Sequence, residues 1–230
     1  MQDRTTQIQS LIAAAQDATR PPLVMGILNV TPDSFHEGGR HLDVDEAVAC
    51  GVEMAAQGAD IIDIGGESTR PMAEPVSPID EIARIKPVVR ALAARISTPL
   101  SVDTRHADVA AAALEAGAVV INDVSGFVHD PGMPDLLGRE RPIAIAMHMR
   151  GNPPDMQLRT GYRSLLAECV GELWRNASLA LDAGLPLDHL WLDPGFGFPK
   201  TWDQNLQLLA DLDLFAALGR PVLVGVSRKS

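Results

Sequence analysis

The chain has 230 residues, 46% of them hydrophobic and 21% charged, and a formal net charge of −11. That length can bury a substantial core, and one α/β domain is expected. No run of Lys or Arg forms a cationic face, so nucleic-acid binding is excluded, and an anionic ligand would need charge placed locally or supplied by a metal.

The N-terminal stretch MQDRTTQIQSLIAAAQDATR has neither the basic start nor the long apolar core of a signal peptide. No window approaches the ~20 apolar residues of a membrane span, so a soluble cytoplasmic protein is expected. Apolar runs then recur at 23–28 (LVMGIL), 61–64 (IIDI), 99–103 (PLSVD), 119–123 (VVIND), 143–148 (IAIAMH), 190–193 (LWLD) and 222–226 (VLVGV). They are continuous rather than alternating, as strands buried on both faces should be.

Helical patterns separate the runs. Asp43, with Glu46 three residues on, caps a helix whose face is Val44, Val48, Val52 and Ala55. Ser77 and Pro78 open a second helix toward Arg95, which Pro87 should kink or divide. Further helices are expected at 106–116, 162–183 and 202–217. Gly58, Gly117 and Gly184 (QGAD, EAGAV, DAGLP) stand where helices must turn over before the next strand. Cys50 and Cys169 fall inside helices with no metal or disulfide spacing, and read as buried reduced thiols.

Repeated β-then-α units imply a parallel sheet with right-handed crossovers. Asn29, Asp63, Asp103, Asn122, His148, Asp193 and Ser227 end the seven runs. An open sheet would concentrate ligand groups at one switch point, whereas a barrel draws them from many strand ends. The expected fold is therefore a single-domain (β/α)8 TIM barrel, cut off after its seventh strand because the chain stops at Ser230.

Asp103, Asn122, Asp193 and Lys229 form the first candidate constellation. Carboxylates and an amide suit the N–H edge of a flat heterocycle, and Lys229 suits a ring nitrogen or carbonyl. Met147 and Phe198 are either walls for that ring or plain core. Asn29, Thr31, Asp33 and Ser34, with Ser68, Thr69 and Arg70 of GGESTRP, form a second constellation. These oxygens, N–H groups and a guanidinium suit phosphate oxygens and a Mg2+ that keeps much of its water. His148 is open to two readings, a general base or a structural histidine; His106 and His129 read as structural.

The motifs GILNVTPDSF, DIGGESTRP, SVDT, INDVSG, MHMRG, LDPGFGF and GVSRKS, in that order from about Leu23 to Ser230, resemble the dihydropteroate synthase family of folate biosynthesis. The resemblance implies a cytoplasmic, homodimeric transferase that uses Mg2+. It would join the diphosphate of a hydroxymethyl-dihydropterin to 4-aminobenzoate, releasing pyrophosphate. It implies that Asp103, Asn122, Asp193 and Lys229 hold the pterin, with Met147, Phe198 and Gly225 around it. Asn29 would meet the metal and diphosphate near Thr69 and Arg70, while Phe35, Pro71, Ser227 and Arg228 border the aminobenzoate. Asn29, Asp103 and Lys229 would carry the reaction.

His36, Glu37, Met72 and Pro199 depart from the family pattern. The eighth strand, with its Arg-x-His pair for the diphosphate, is not in this sequence, so low turnover by residues 1–230 is expected. Two other readings are a pterin-dependent methyl-transfer barrel and a non-catalytic pterin-binding paralogue. The first would have no use for the Asn29–Ser34 loop or the SRK ending.

Overall fold

The computed structural model describes residues 3–31, 44–67, 76–151 and 159–226. The described residues form two compact units, one up to Asn122 and one from Asp123 onward.

The first unit runs α1 (Arg4–Gln16), β1 (Met25–Asn29), α2 (Val44–Ala56), β2 (Ile61–Gly65), α3 (Pro78–Arg95), β3 (Leu100–Asp103), α4 (Ala107–Ala116) and β4 (Val120–Asp123). Its strands lie in chain order and pair in parallel. Every residue of β2 and β4 is buried. Ile62, Ile64 and Val102 of the sheet and Ile85, Val88, Val89 and Leu92 of α3 are wholly buried, so apolar strands are covered by apolar helix faces. Close packing sets the spacing: a Cβ on Gly51 of α2 would come within 2.9 Å of both Leu92 methyls.

The second unit runs α5 (Met133–Glu140), β5 (Ile143–Met147), α6 (Leu165–Asp182), a 3-10 turn (Leu187–His189), β6 (Leu190–Asp193), α7 (Trp202–Ala210) and α8 (Asp213–Ala216). Strands β5 and β6 are parallel and fully buried, and α6 lies against both and against α5.

The alternation of strands and helices follows the sequence reading, with local corrections. Ser77 Oγ accepts the Asp80 N–H at 3.2 Å and caps α3 as expected. Pro87, however, does not divide the helix. It lies on the exposed face, where water can reach the carbonyl left without a partner. In α2 the buried face is Ala47, Val48 and Gly51, and Val44, Val52 and Ala55 flank it. The helix expected at 202–217 is two helices, broken at Asp211 and Leu212. Asp favours such breaks because its carboxylate competes for backbone N–H groups.

Two helices were not anticipated. In α5, Gly138 would ordinarily read as a breaker, but a Cβ there would overlap the Ala183 carbonyl at the end of α6. In α1 only Ile8, Leu11 and Ile12 are buried, too few for a clear helical period.

The seventh run is not a strand. Val222 makes one parallel bridge to Leu192, held by Leu192 N–H to Pro221 O (3.0 Å) and Leu223 N–H to Leu192 O (2.8 Å). Residues 224–226 are exposed, and among the described residues nothing extends the ladder. Gly58, Gly117 and Gly184 do take positive φ (100°, 119° and 106°) at helix ends. Both cysteines are free; Cys169 is buried but Cys50 only half-buried.

Candidate active site

In the first unit the strand register does much of the work. Asn29 is paired with Gly65, Gly65 with Asp103, and Asp103 with Asn122. Residues in register across parallel strands project to the same face. One row at the strands' C-terminal ends therefore carries an amide, a gap, a carboxylate and a second amide. The gap at Gly65 has room for a Cβ, which would lie 3.7 Å from Asn29 Oδ1 and 3.9 Å from Asp103 Oδ2. Two hard oxygen donors thus border one small cradle, a donor set of the kind Mg2+ accepts beside phosphate oxygens.

Asp63 stands two residues before Gly65 and is therefore on the same face. Its Oδ2 accepts Asn122 Nδ2–H at 3.1 Å. Burial pushes the Asp63 carboxyl up, while the Ser101 hydroxyl and the Asn122 amide pull it back. Asp63 Oδ1 and Ser101 Oγ are nevertheless buried without a hydrogen bond of good geometry.

Behind this row lies a charge cluster. Both Glu67 oxygens accept from Arg105 Nη2 (3.1 and 2.9 Å), and Oε1 also accepts the Val76 N–H at 3.2 Å. Glu67 thereby links the two described flanks of residues 68–75. Glu81, whose carboxyl is raised by burial, meets His106 Nδ1 at 2.9 Å. Ligand atoms of Glu67, Glu81 and His106 lie within 4.8 Å of one another. The Arg105 cation already paired with Glu67 opposes a metal there, so the cluster is structural, in keeping with the reading of His106.

In the second unit Met147 and Asp193 are register partners at the ends of β5 and β6. Asp193 Oδ1 accepts the Gly195 N–H at 2.7 Å. Burial pushes its carboxyl up to about 6, against that hydrogen bond and the Lys200 charge. Phe198 packs on Val124, Met147 and Met149, so the two candidate walls touch. Gly225 is exposed, with nothing within 4 Å of the place its Cβ would take.

His148 is 1% exposed and has both ring nitrogens engaged, Nε2 with Glu172 Oε2 (3.1 Å) and Nδ1 with Lys200 Nζ (3.1 Å). Burial, with Lys200 next, pushes it down to about 4. A neutral ring with both nitrogens bonded is structural, which decides between its two readings. Arg150 extends the network, donating to Glu172 through Nε (2.8 Å) and to Glu168 through Nη2 (2.7 Å), with its guanidinium 3.9 Å from the Tyr162 ring centre. Of the family departures, Pro199 is buried and its carbonyl accepts the Tyr162 hydroxyl at 3.2 Å.

Phe35, Thr69, Arg70, Pro71, Ser227, Arg228 and Lys229 lie outside the described residues, as do Asp33, Ser34, Ser68, His36, Glu37 and Met72. Sequence reasoning passed over Asp63 as a partner of Asn122, and also Glu67 and Lys200. Lys200 carried a signal: it is a lone cation closing the otherwise uncharged run PGFGFPK.

A family profile described as pterin binding enzyme matches residues 25–230. The chain is 42% identical over 224 residues to a dihydropteroate synthase of Bacillus subtilis (strain 168), covering 97% of this chain and 76% of the relative. With that of Clostridium beijerinckii the identity is 44% over 207 residues, 90% of this chain and 74% of the relative. Among solved structures, Xanthomonas albilineans dihydropteroate synthase with 4-aminobenzoic acid superposes with a TM-score of 0.85 at 45% identity, covering 93% of this chain and 75% of that one. The same enzyme in complex with 7,8-dihydropteroate gives a TM-score of 0.81 at 42% identity, covering 93% and 74%.

Proposed function

Because the chain belongs to the pterin-binding family of the dihydropteroate synthases, a family of TIM-barrel transferases, we propose that it joins 6-hydroxymethyl-7,8-dihydropterin diphosphate to 4-aminobenzoate. The products are 7,8-dihydropteroate and pyrophosphate. The observation that carries this reading is the register row Asn29–Gly65–Asp103–Asn122, which sets oxygen donors beside a gap.

The Asp103 carboxylate and the Asn122 amide take the donor edge of the pterin, and Asp63 holds that amide in one orientation. Through the family resemblance Asp193, ionised above about pH 6, is assigned to the pterin as an acceptor, and Met147 with Phe198, which touch each other, as apolar surface for the ring. Lys229, Ser227, Arg228, Phe35 and Pro71 are assigned to the substrates through the family resemblance, and Thr69 and Arg70 to the diphosphate. Asn29 Oδ1 is the protein oxygen that would meet Mg2+ and the diphosphate. When bound, that ion neutralises charge on the departing pyrophosphate.

The bond from the exocyclic carbon to the diphosphate oxygen breaks, and that carbon bonds the arylamine nitrogen, which loses a proton. An unprotonated arylamine is already nucleophilic, so no strong base is needed at the first step. His148, neutral with both nitrogens bonded, supplies none. Holding two substrates in order contributes much of the rate.

Among the described residues no helix is long and apolar enough to cross a membrane. With the free cysteines, this supports a cytoplasmic protein. A homodimer is assigned through the family resemblance.

The test is incubation with pterin diphosphate, Mg2+ and 4-aminobenzoate. Pyrophosphate and dihydropteroate should form together, slowly with residues 1–230 and faster once a segment carrying the family's eighth strand is joined to them, and Asn29→Ala should suppress both while leaving binding of the pterin alcohol intact. Pterin binding without pyrophosphate release would favour the non-catalytic reading.

A further inference from the structure

The link from Asp193 to α7 is the turn PGFGFPK, which has no regular structure and contains two glycines at positive φ, Gly195 (72°) and Gly197 (79°). Such a turn should be loose, since each glycine brings conformational freedom that folding must remove. Its own backbone supplies little restraint, a Phe198 N–H to Gly195 O bond of 3.2 Å. Yet it begins at Asp193 and carries Phe198, two of the groups assigned to the pterin.

Lys200 closes this turn. The side chain is 4% exposed, and its Nζ lies 2.9 Å from Gly195 O, 3.0 Å from Phe198 O and 3.1 Å from His148 Nδ1. An ammonium has three hydrogens, and here each has one acceptor.

We propose that Lys200 is a positioning residue for the pterin. By donating to two carbonyls of the turn and to the ring of His148, it holds Asp193 and Phe198 in place against the end of β5. The role rests on the condensation reading above only for the identity of the ligand.

Several observations support a positioning role over simple core filling. A buried ammonium is costly, and an apolar side chain of equal length would fill the same volume without that cost. The acceptors also join separate parts of the structure, since two belong to the turn and the third follows Met147, the register partner of Asp193. The His148 main-chain N–H bonds Asp193 O at 2.9 Å, so backbone and side chain link the same two strand ends. Because His148 Nδ1 accepts, its proton sits on Nε2 and is donated to Glu172, which Arg150 holds in turn. The acceptor is thus fixed in orientation before Lys200 reaches it. Lysine suits the task better than arginine, because three rotatable donors on a compact head can meet three non-coplanar acceptors.

The electrostatics agree with the geometry. Burial, with Arg150 in the same direction, pushes the ammonium down to about 8 against the opposing Cys169, Asp193 and Glu172, while the facing His148 is neutral. The free amine has only two hydrogens, so above about pH 8 one acceptor loses its bond and the turn is less restrained.

The test is Lys200→Met, first checked for folding by circular dichroism and thermal melting. It is then titrated calorimetrically with pterin diphosphate and assayed for both substrates. Affinity for pterin diphosphate is expected to fall about tenfold or more, with its KM rising in step and the KM for 4-aminobenzoate unchanged. The alkaline decline of pterin affinity near pH 8 should disappear. Unchanged pterin affinity and an unchanged pH profile would overturn the proposal. Should Lys200→Met not fold, His148→Leu removes one of the three bonds and is expected to weaken the pterin about threefold; no change there would overturn it equally. If the unmodified protein binds pterin but releases no pyrophosphate, and Lys200→Met still weakens that binding, the condensation fails and the positioning role stands.

Discussion

The first unit sets Asn29, Asp103 and Asn122 in one row around a gap at Gly65 and leaves Asp63 Oδ1 buried without a hydrogen bond. The second unit does the reverse: Lys200, His148, Glu172 and Arg150 are bonded in sequence, and both Lys200 and Asp193 are bonded to the turn that follows β6. Both arrangements occupy strand ends, where barrel enzymes keep their chemistry. In the first, four paired strands already hold the backbone, so side chains can be directed at a ligand. In the second, the candidate residues sit on or beside an irregular turn, and side-chain hydrogen bonds must provide the restraint that a strand ladder would give. Substitutions in the row should therefore alter binding and spare the fold, whereas substitutions in the turn should alter both.

The largest contrast is expected from one change made in both places. At Gly195 a Cβ would overlap the His148 carbonyl oxygen, on a backbone already at φ 72°. Gly195→Ala should cost at least ~3 kcal/mol and lower the melting temperature by about 6–12 °C. At Gly65 the new methyl would have only ordinary contacts, at 3.7 and 3.9 Å. Gly65→Ala should melt within about 2 °C of the unmodified protein while raising the Mg2+ concentration needed for half-maximal activity. Paired melting curves and Mg2+ titrations check both, and equal melting losses would remove the distinction.

A smaller effect belongs to Asp103→Asn, which replaces an acceptor by a group that also donates. Pterin affinity should fall about ten- to a hundred-fold, corresponding to the ~1.5–3 kcal/mol of a hydrogen bond to a charged group. The melting temperature should hold. Calorimetric titration measures the first, and a retained affinity would take Asp103 out of the pterin site.

The smallest effect is in pH. Burial raises Asp193 to about 6, so its carboxylate is protonated below that value and loses an acceptor for the ligand. Pterin affinity should decline as pH falls through about 6, and Asp193→Asn should flatten that decline. His148 works on stability with the opposite kind of shift. Held near 4 in the fold and near 6.5 when unfolded, it binds its proton more readily in the unfolded chain. Stability should therefore fall as pH drops from about 6.5 toward 4. A melting temperature constant over that window would contradict the buried neutral ring.

Much of this architecture is local and could be read along the chain. Continuous apolar runs, Ser77 before Pro78, and Gly58, Gly117 and Gly184 at helix ends mark where elements start and stop, because each acts through bonds within a few residues. Placing Asn29, Asp103, Asn122 and Asp193 at strand ends followed from the same pattern. Helix α5 was not legible because the reason for Gly138 within it lies on another helix, and reading 222–226 as a strand failed because a ladder needs neighbours as well as apolar residues.

What only the tertiary structure decided is register and reach. Asn122 meets Asp63 across 59 positions of chain, and Lys200 meets His148 across 52. Neither pairing leaves a periodic trace, since a hydrogen bond depends on a few tenths of an ångström in space and not on spacing in sequence. The types of the candidate residues were thus set locally, while their partners, their protonation and their separation into a row beside the gap at Gly65 and a braced turn arose from packing that only the folded chain possesses.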